Sequence, residues 1–319
     1  MLKGAGDQPL RNDSTGWMIV ASASALWGSD VLLRPKVLAT GLDPVVLVLV
    51  EHLLLTLLFG FVVVRSRRDL MRMSLKEFLA VLFISWFGSV LATVLLTQAY
   101  VAGDPLTATL LQKLQPLFAI LLAGPILHES RVKGFWIGVL GALAGAYLMS
   151  FGLTWIGDPF HHKGMTAAGY AAAAAALWGT CTVVGRWVLG HLRPIPIAGL
   201  RFMMAIPVLL VWAFLGRHFQ GMGHEWPQKA SAPLILIVLF PDALGMALYY
   251  VGLQRTSASL ATLAELAYPA TAVVLGFGSA LRFSLPQWTG LATLLLSLYW
   301  IKRETLVVPD SGRLEKRNS

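Results

Sequence analysis

Ala25-Leu26-Trp27-Gly28-Ser29 is repeated as Ala176-Leu177-Trp178-Gly179-Thr180, and each copy opens an apolar run that is followed by four more. The chain therefore reads as two copies of one five-segment unit. An odd number of crossings per copy places the second copy upside down in a bilayer. Inverted repeats of this kind predict a secondary carrier whose site lies near the midplane, where the copies meet.

The match runs beyond the opening motif. Leu106-Thr107-Ala108-Thr109-Leu110 aligns with Ser259-Leu260-Ala261-Thr262-Leu263, and Trp136-Ile137-Gly138 with Trp288-Thr289-Gly290. Pro44 falls near Pro194, Glu51 over Arg201, and Pro116 over Pro269. Ordered recurrence at nearly constant offset is not something apolar composition produces by itself.

Of the 319 residues, 56% are hydrophobic and 13% charged, about half the charge of a soluble domain. The mean hydropathy is +0.69. Ten runs are long enough to cross a hydrocarbon core of about 30 Å. They are residues 17–40, 44–64, 77–101, 105–127, 132–152, 166–190, 195–216, 231–254, 258–280 and 286–302. The expected fold is an all-α integral membrane protein, ten transmembrane helices forming two inverted five-helix repeats around a central cavity. The corresponding divisions are an amino-terminal tail (1–16), a first repeat (17–152), a linker (153–165), a second repeat (166–303) and a carboxy-terminal tail (304–319). The first run has no small-residue cleavage site and is expected to remain in the mature chain. The lone Cys181 lies inside a span, which excludes an intrachain disulfide.

Orientation follows from Lys and Arg. Sixteen fall on the side of the amino terminus and four on the other, with Arg34, Lys36, Lys113, Arg186 and Arg201 inside spans. Both termini and the linker's far side are thereby assigned: termini cytoplasmic, linker external, in a plasma or bacterial inner membrane. The net charge of +9 is a membrane-topology signal, and its scatter along one face argues against nucleic acid as a partner.

The motifs Leu26-Trp27-Gly28-Ser29, Gln115-Pro116-Leu117, His128-Glu129, Trp136-Ile137-Gly138 and Tyr268-Pro269 resemble the drug/metabolite transporter superfamily, specifically its EamA-like ten-span carriers. That resemblance covers residues 17–303. It implies export or exchange of a small metabolite, amino acids among them, through a cavity between the halves. One departure is that the second half has Arg282 where the first has Glu129.

Ionisable residues inside spans are costly, about 2.5–3.5 kcal/mol each at the helix centre, and are functional or paired by default. By depth Glu51 is matched with Lys113, and Arg201 with Glu265, one pair in each leaflet. Asp30 and Arg34, four apart on one helix, can satisfy each other. Arg186 sits near a span end and is expected to snorkel. Asp242 has no cation at its depth, and Pro241 before it is expected to open the helix; it is the candidate proton acceptor. Glu51, Arg201 and Asp242 are thus the coupling or gating candidates.

Thr109, Gln112 and Pro116 share a helical face, as do Thr262, Glu265 and Pro269. Together with Trp27, Gln98, Tyr100, Lys113, Trp178, Tyr249 and Tyr268 they form the expected substrate wall, suited to a small amphipathic solute such as an amino acid. Lys113 and Arg201 as convergent cations keep open an exchanger or flippase for phosphorylated or lipid-linked sugars. An intramembrane enzyme is the reading from another class. It is disfavoured because His128-Glu129 and His224-Glu225 lack the second histidine of a zinc motif, Val132 and Gln228 standing there. No catalytic residue, metal or cofactor is expected. The expected partners are a small-molecule substrate, the lipid bilayer and protons, with a monomer or weak homo-oligomer as the assembly.

Overall fold

The computed structural model describes residues 15–102, 108, 112, 114–129, 133–151, 153, 162–220, 227–268, 271 and 285–307. Thr109 and Lys113 lie outside these. Among the described residues the chain is helical, with no strand. Six helices are long and apolar enough to cross a membrane: Gly16–Leu38, Pro44–Arg65, Leu75–Ala102, Thr166–Leu189, Pro194–Leu215 and Gln228–Gln254. Three shorter apolar helices, Gln115–Leu127, Gly134–Gly145 and Trp288–Ile301, occupy the fourth, fifth and tenth sequence-predicted runs.

The helix starts follow from local chemistry. Asp43 precedes Pro44 and accepts from the Val45 amide at 2.7 Å, so an N-cap residue and a first-turn proline launch the second helix together. Ser74 and Glu77 form a reciprocal capping box at the start of the third. The fourth helix ends at Leu127, with His128 in a left-handed conformation (φ 55°) and the carboxylate of Glu129 extended away from its own helix.

The first long span is not continuous. Helices Gly16–Trp27 and Asp30–Leu38 meet at Gly28-Ser29, where the bonds from Ser29 N to Leu26 O and Leu32 N to Ser29 O span three residues instead of four. The third and eighth helices each widen into a π-helical segment of eight residues, Ile84–Leu91 and Val238–Gly245. Pro241 explains the second, since it lacks the N–H that a regular ladder needs. In the first, the Gly88 carbonyl is taken by the Trp178 indole at 2.9 Å, a side chain inserted into the ladder.

The halves pack crosswise. Helix Pro44–Arg65 lies along Pro194–Leu215, Gly16–Trp27 along Met246–Gln254, and Ala92–Ala102 along His162–Leu189. Gln115–Leu127 meets Ala258–Ala264, and Lys133–Phe151 lies along Leu285–Val307. In lipid such contacts depend on close van der Waals packing, not on escape from water. A methyl group on Gly145 would stand 2.5 Å from the Leu294 nitrogen and 2.8 Å from the Gly290 oxygen, so glycine lets these backbones touch. The alanine run does the same, with Ala171 and Ala174 fully buried against Ala92 and Ala99.

Arg186 departs from expectation. Instead of reaching the membrane surface it is buried, and its guanidinium donates to the Gln254 carbonyl. The eighth helix ends there, leaving a carbonyl that a cation satisfies locally.

Candidate functional site

Helices from both halves enclose one polar cavity. Its space for the centre of a water-sized sphere is about 180 Å³, more than ten times what a single water occupies, so it has room for a solute. The first span contributes Trp27, Asp30 and Arg34, and the second Glu51 and His52. Thr93 and Thr97 come from the third, Gln112 and Gln115 from the fourth. The second half supplies Trp178, Thr182, Arg201, Asp242, Tyr249, Tyr250, Thr262, Glu265 and Tyr268.

Eleven of the sequence-predicted residues therefore meet in one place: Trp27, Gln112, Pro116, Trp178, Tyr249, Thr262, Glu265, Tyr268, Glu51, Arg201 and Asp242. Gln98 and Tyr100 do not line it. On the third helix the lining positions are 88, 93, 96 and 97; Gln98 is rotated about 100° from Thr97. Tyr100 lies a turn further on, near enough to Tyr268 to act on it electrostatically. Thr109 and Lys113 lie outside the described residues.

The two tryptophans of the repeated motif dock in matching ways. Trp178, from the second half, bonds to Gly88 in the first π-helical segment. Trp27, from the first half, packs on Gly245 in the second, where a methyl group would sit 2.9 Å from its indole nitrogen. Trp27 also faces Tyr249 with ring centroids 5.0 Å apart, and Tyr249 continues to Tyr250 at 5.9 Å. These rings make an aromatic wall. Hydroxyl and amide groups stand beside it: Thr182 shares a 2.8 Å hydrogen bond with the Tyr249 hydroxyl, and Gln115 donates to Glu265 at 2.6 Å.

The charges are paired differently from the sequence expectation. Glu51 lies 3.0 Å from Arg34, and the same Arg34 holds Asp30 at 2.7 Å; Lys113, the partner expected for Glu51, lies outside the described residues. Depth alone placed Glu51 correctly but missed that the first span brings its own arginine to the same level. The Arg201–Glu265 pair is not formed either. Arg201 donates to Ser89 at 2.7 Å and to the Tyr250 hydroxyl at 3.0 Å, while Glu265 is held by Gln115 and Tyr249. Asp242 is less isolated than expected: Glu51, Arg34 and Asp30 all act on it electrostatically. Its Oδ2 nonetheless has no hydrogen-bond partner among the described residues, and the same holds for His52 Nε2, Gln112 Oε1 and Thr262 Oγ1. All four residues line the cavity, so these are open contacts for a solute or water.

His52 was missed by the sequence reading. Its Nδ1–H is oriented by the Val48 carbonyl at 2.8 Å, which leaves Nε2 for the cavity. An ionisable ring inside the apolar stretch 45–64 was the available signal. Glu129 was noticed only as a motif position. It accepts from the amides of Ala258 and Ser259 at 2.7 and 3.2 Å and from the Ser259 hydroxyl at 2.6 Å, capping the ninth helix from the end of the fourth. Among the described residues no group of His, Cys, Asp and Glu could hold a metal ion.

The EamA-like transporter family matches residues 14–151 and again residues 165–303. The chain belongs to the EamA-like transporter family. One relative is riboflavin transporter ImpX of Fusobacterium nucleatum, 30% identical over 274 residues that cover 83% of this chain and 90% of that protein. Another is an uncharacterized transporter of Archaeoglobus fulgidus, 21% identical over 90% of this chain and 99% of that one. A solved crystal structure superposes with a TM-score of 0.70 at 19% identity, over 90% of this chain and 96% of that chain, which shows a shared fold. The family and these relatives are transporters, not enzymes, and the EamA-like chain is accordingly a multi-pass membrane transporter of a small molecule.

Proposed function

We propose that this EamA-like protein is a secondary carrier that moves a flat, polar aromatic metabolite of the riboflavin kind by alternating access. The observation that carries this reading is the cavity wall, in which the tilted rings of Trp27, Tyr249 and Tyr250 pack in series beside Thr262 and Gln112 oxygens that have no hydrogen-bond partner among the described residues. Ring faces suit a planar heterocycle, and open donors and acceptors suit its ring edge and hydroxyl chain. The relative named as a riboflavin transporter supports the same class. The sequence expectation was an amino acid or similar amphipathic solute; a small aliphatic amino acid leaves these ring faces mostly uncovered.

The reading includes ten spans in two inverted repeats, 17–152 and 166–303, with both termini in the cytoplasm and the protein in the cell membrane. Crosswise packing supports it: the contact of the first span with the eighth has its counterpart in that of the sixth with the third. The chain acts as a monomer or weak homo-oligomer. Protons are the coupling ion, taken up at Asp242, where three carboxylates share one guanidinium. Export is the direction implied by the superfamily resemblance.

A thermal-unfolding screen of the purified chain tests the substrate class, because a carrier is stabilised by what binds its folded state. Riboflavin is expected to raise the unfolding temperature, and neutral amino acids and sugar phosphates to leave it unchanged. The opposite order would return the assignment to amino acids or to the sugar-phosphate exchanger.

A further inference from the structure

Arg201 is a buried cation that meets no anion among the described residues. Only 6% of it is exposed, yet it makes no ion pair among the described residues, whereas Arg34 has two carboxylates. Its Nε bonds to Ser89, and its Nη1 to the Tyr250 hydroxyl and, at 3.5 Å, the Met246 sulfur. All three partners are neutral. Nη2 makes no hydrogen bond among the described residues.

Gly88 lets the third helix approach Nη2 closely, since an added methyl group would lie 3.4 Å from it and 2.9 Å from the Cys181 sulfur, and Gly88 and Arg201 both line the cavity. The guanidinium is fixed in direction, with its carbon 5.7 Å from the Tyr250 ring centre and 5.8 Å from that of Phe202. Two anchored nitrogens and one open nitrogen make a preorganised donor. A guanidinium left unpaired in a low-dielectric site is costly, and a ligand anion removes that cost. Of the four carboxylates that line the cavity, Asp30 and Glu51 are held by Arg34, Glu265 accepts from Gln115, and Asp242 lies in the field of Arg34.

We infer that Arg201 is an anion subsite of the transport cavity, and that the carried solute bears a carboxylate or phosphate beside its flat ring. This rests on the proposed carrier function and narrows its substrate class. The solute's ring lies along Trp27, Tyr249 and Tyr250, and its anionic oxygens reach Nη2. His52, between Arg34 and Arg201 in the electrostatic field of both, offers Nε2 to the same solute.

Equilibrium binding to the purified full-length chain tests this with two matched pairs. Riboflavin against riboflavin 5′-phosphate isolates a phosphate, and indole-3-acetamide against indole-3-acetate isolates a carboxylate. The anionic member of at least one pair is expected to bind about tenfold or more tightly, the scale of a charge-assisted hydrogen bond. Arg201→Met should abolish that preference, and Arg201→Lys should retain part of it. Equal binding within both pairs by the wild-type chain overturns the anion subsite and leaves the carrier function standing. A preference that survives in folded Arg201→Met also overturns it. Binding of none of the four compounds overturns both. If Arg201→Met does not fold, the wild-type comparison and Arg201→Lys decide.

Discussion

Arg34 holds Glu51 of the neighbouring span at 3.0 Å while binding Asp30 of its own helix at 2.7 Å. One guanidinium thus joins the first two spans at the cavity, and Asp242 of the eighth is exposed to the same field. Both members of the Arg34–Glu51 pair are almost fully buried, so their energetics are those of a desolvated pair.

Removing one partner of such a pair strands the other. Arg34→Met is expected to cost about 3–5 kcal/mol, with Arg34→Met/Glu51→Gln recovering part of it. Thermal unfolding of the three variants in detergent measures this; additive losses would show that the two do not interact.

Glu129 spans the gap between the fourth and ninth helices by accepting from Ala258 and Ser259. Glu129→Ala should lower stability by about 1–3 kcal/mol, the cost of leaving three charge-assisted bonds unmade, while substrate affinity in the folded fraction stays unchanged. Ligand titration beside a melting curve separates the two. A lost affinity at unaltered stability would place Glu129 in the transport site.

The contact at Gly145 sets the distance between the fifth and tenth helices. Gly145→Val adds carbon where a methyl group already meets Leu294 and Gly290, and is expected to cost about 1–3 kcal/mol. Gly169, with nothing within 4 Å of an added methyl, is the control, and Gly169→Ala should be neutral. Equal effects in unfolding assays would contradict the close approach.

Much of this arrangement was legible in the sequence because apolar run length and the repeated Leu-Trp-Gly motif are one-dimensional signals. Pro241 likewise announced a disturbed eighth helix. The π-helical segment at Ile84–Leu91 was not legible, because no proline marks it and its cause, the Trp178 indole on Gly88, comes from the other half of the chain. The expected Arg201–Glu265 pairing failed for a related reason. Depth along a helix says which residues are level, and only the packing of helices says which of them touch; hence Glu51 met Arg34, and Arg201 met Ser89 and Tyr250.

Asp242→Asn removes the proton acceptor proposed for coupling without changing the shape of the side chain. It should keep solute exchange between liposome interior and exterior and lose accumulation driven by a proton gradient. Undiminished proton-driven accumulation by a folded Asp242→Asn protein would eliminate Asp242 as the coupling site.

Topology is read by impermeant labelling of single cysteines in a background where Cys181 is replaced. Sites at Ser319 and in the 65–76 loop should react only from the cytoplasmic side, and one at His161 only from outside. External labelling at Ser319 would contradict the ten-span inverted repeat.

The central claim is that the aromatic cavity between the halves is where the solute is carried. Counterflow of labelled riboflavin in proteoliposomes addresses it directly, comparing the wild-type chain with Tyr249→Ala, which removes the ring that packs against Trp27. The account predicts counterflow in the wild type and at least about a tenfold weaker apparent affinity in the variant, since an aromatic contact and its area are both removed. Riboflavin counterflow of equal affinity in folded Tyr249→Ala, or none by the wild-type protein, would contradict it.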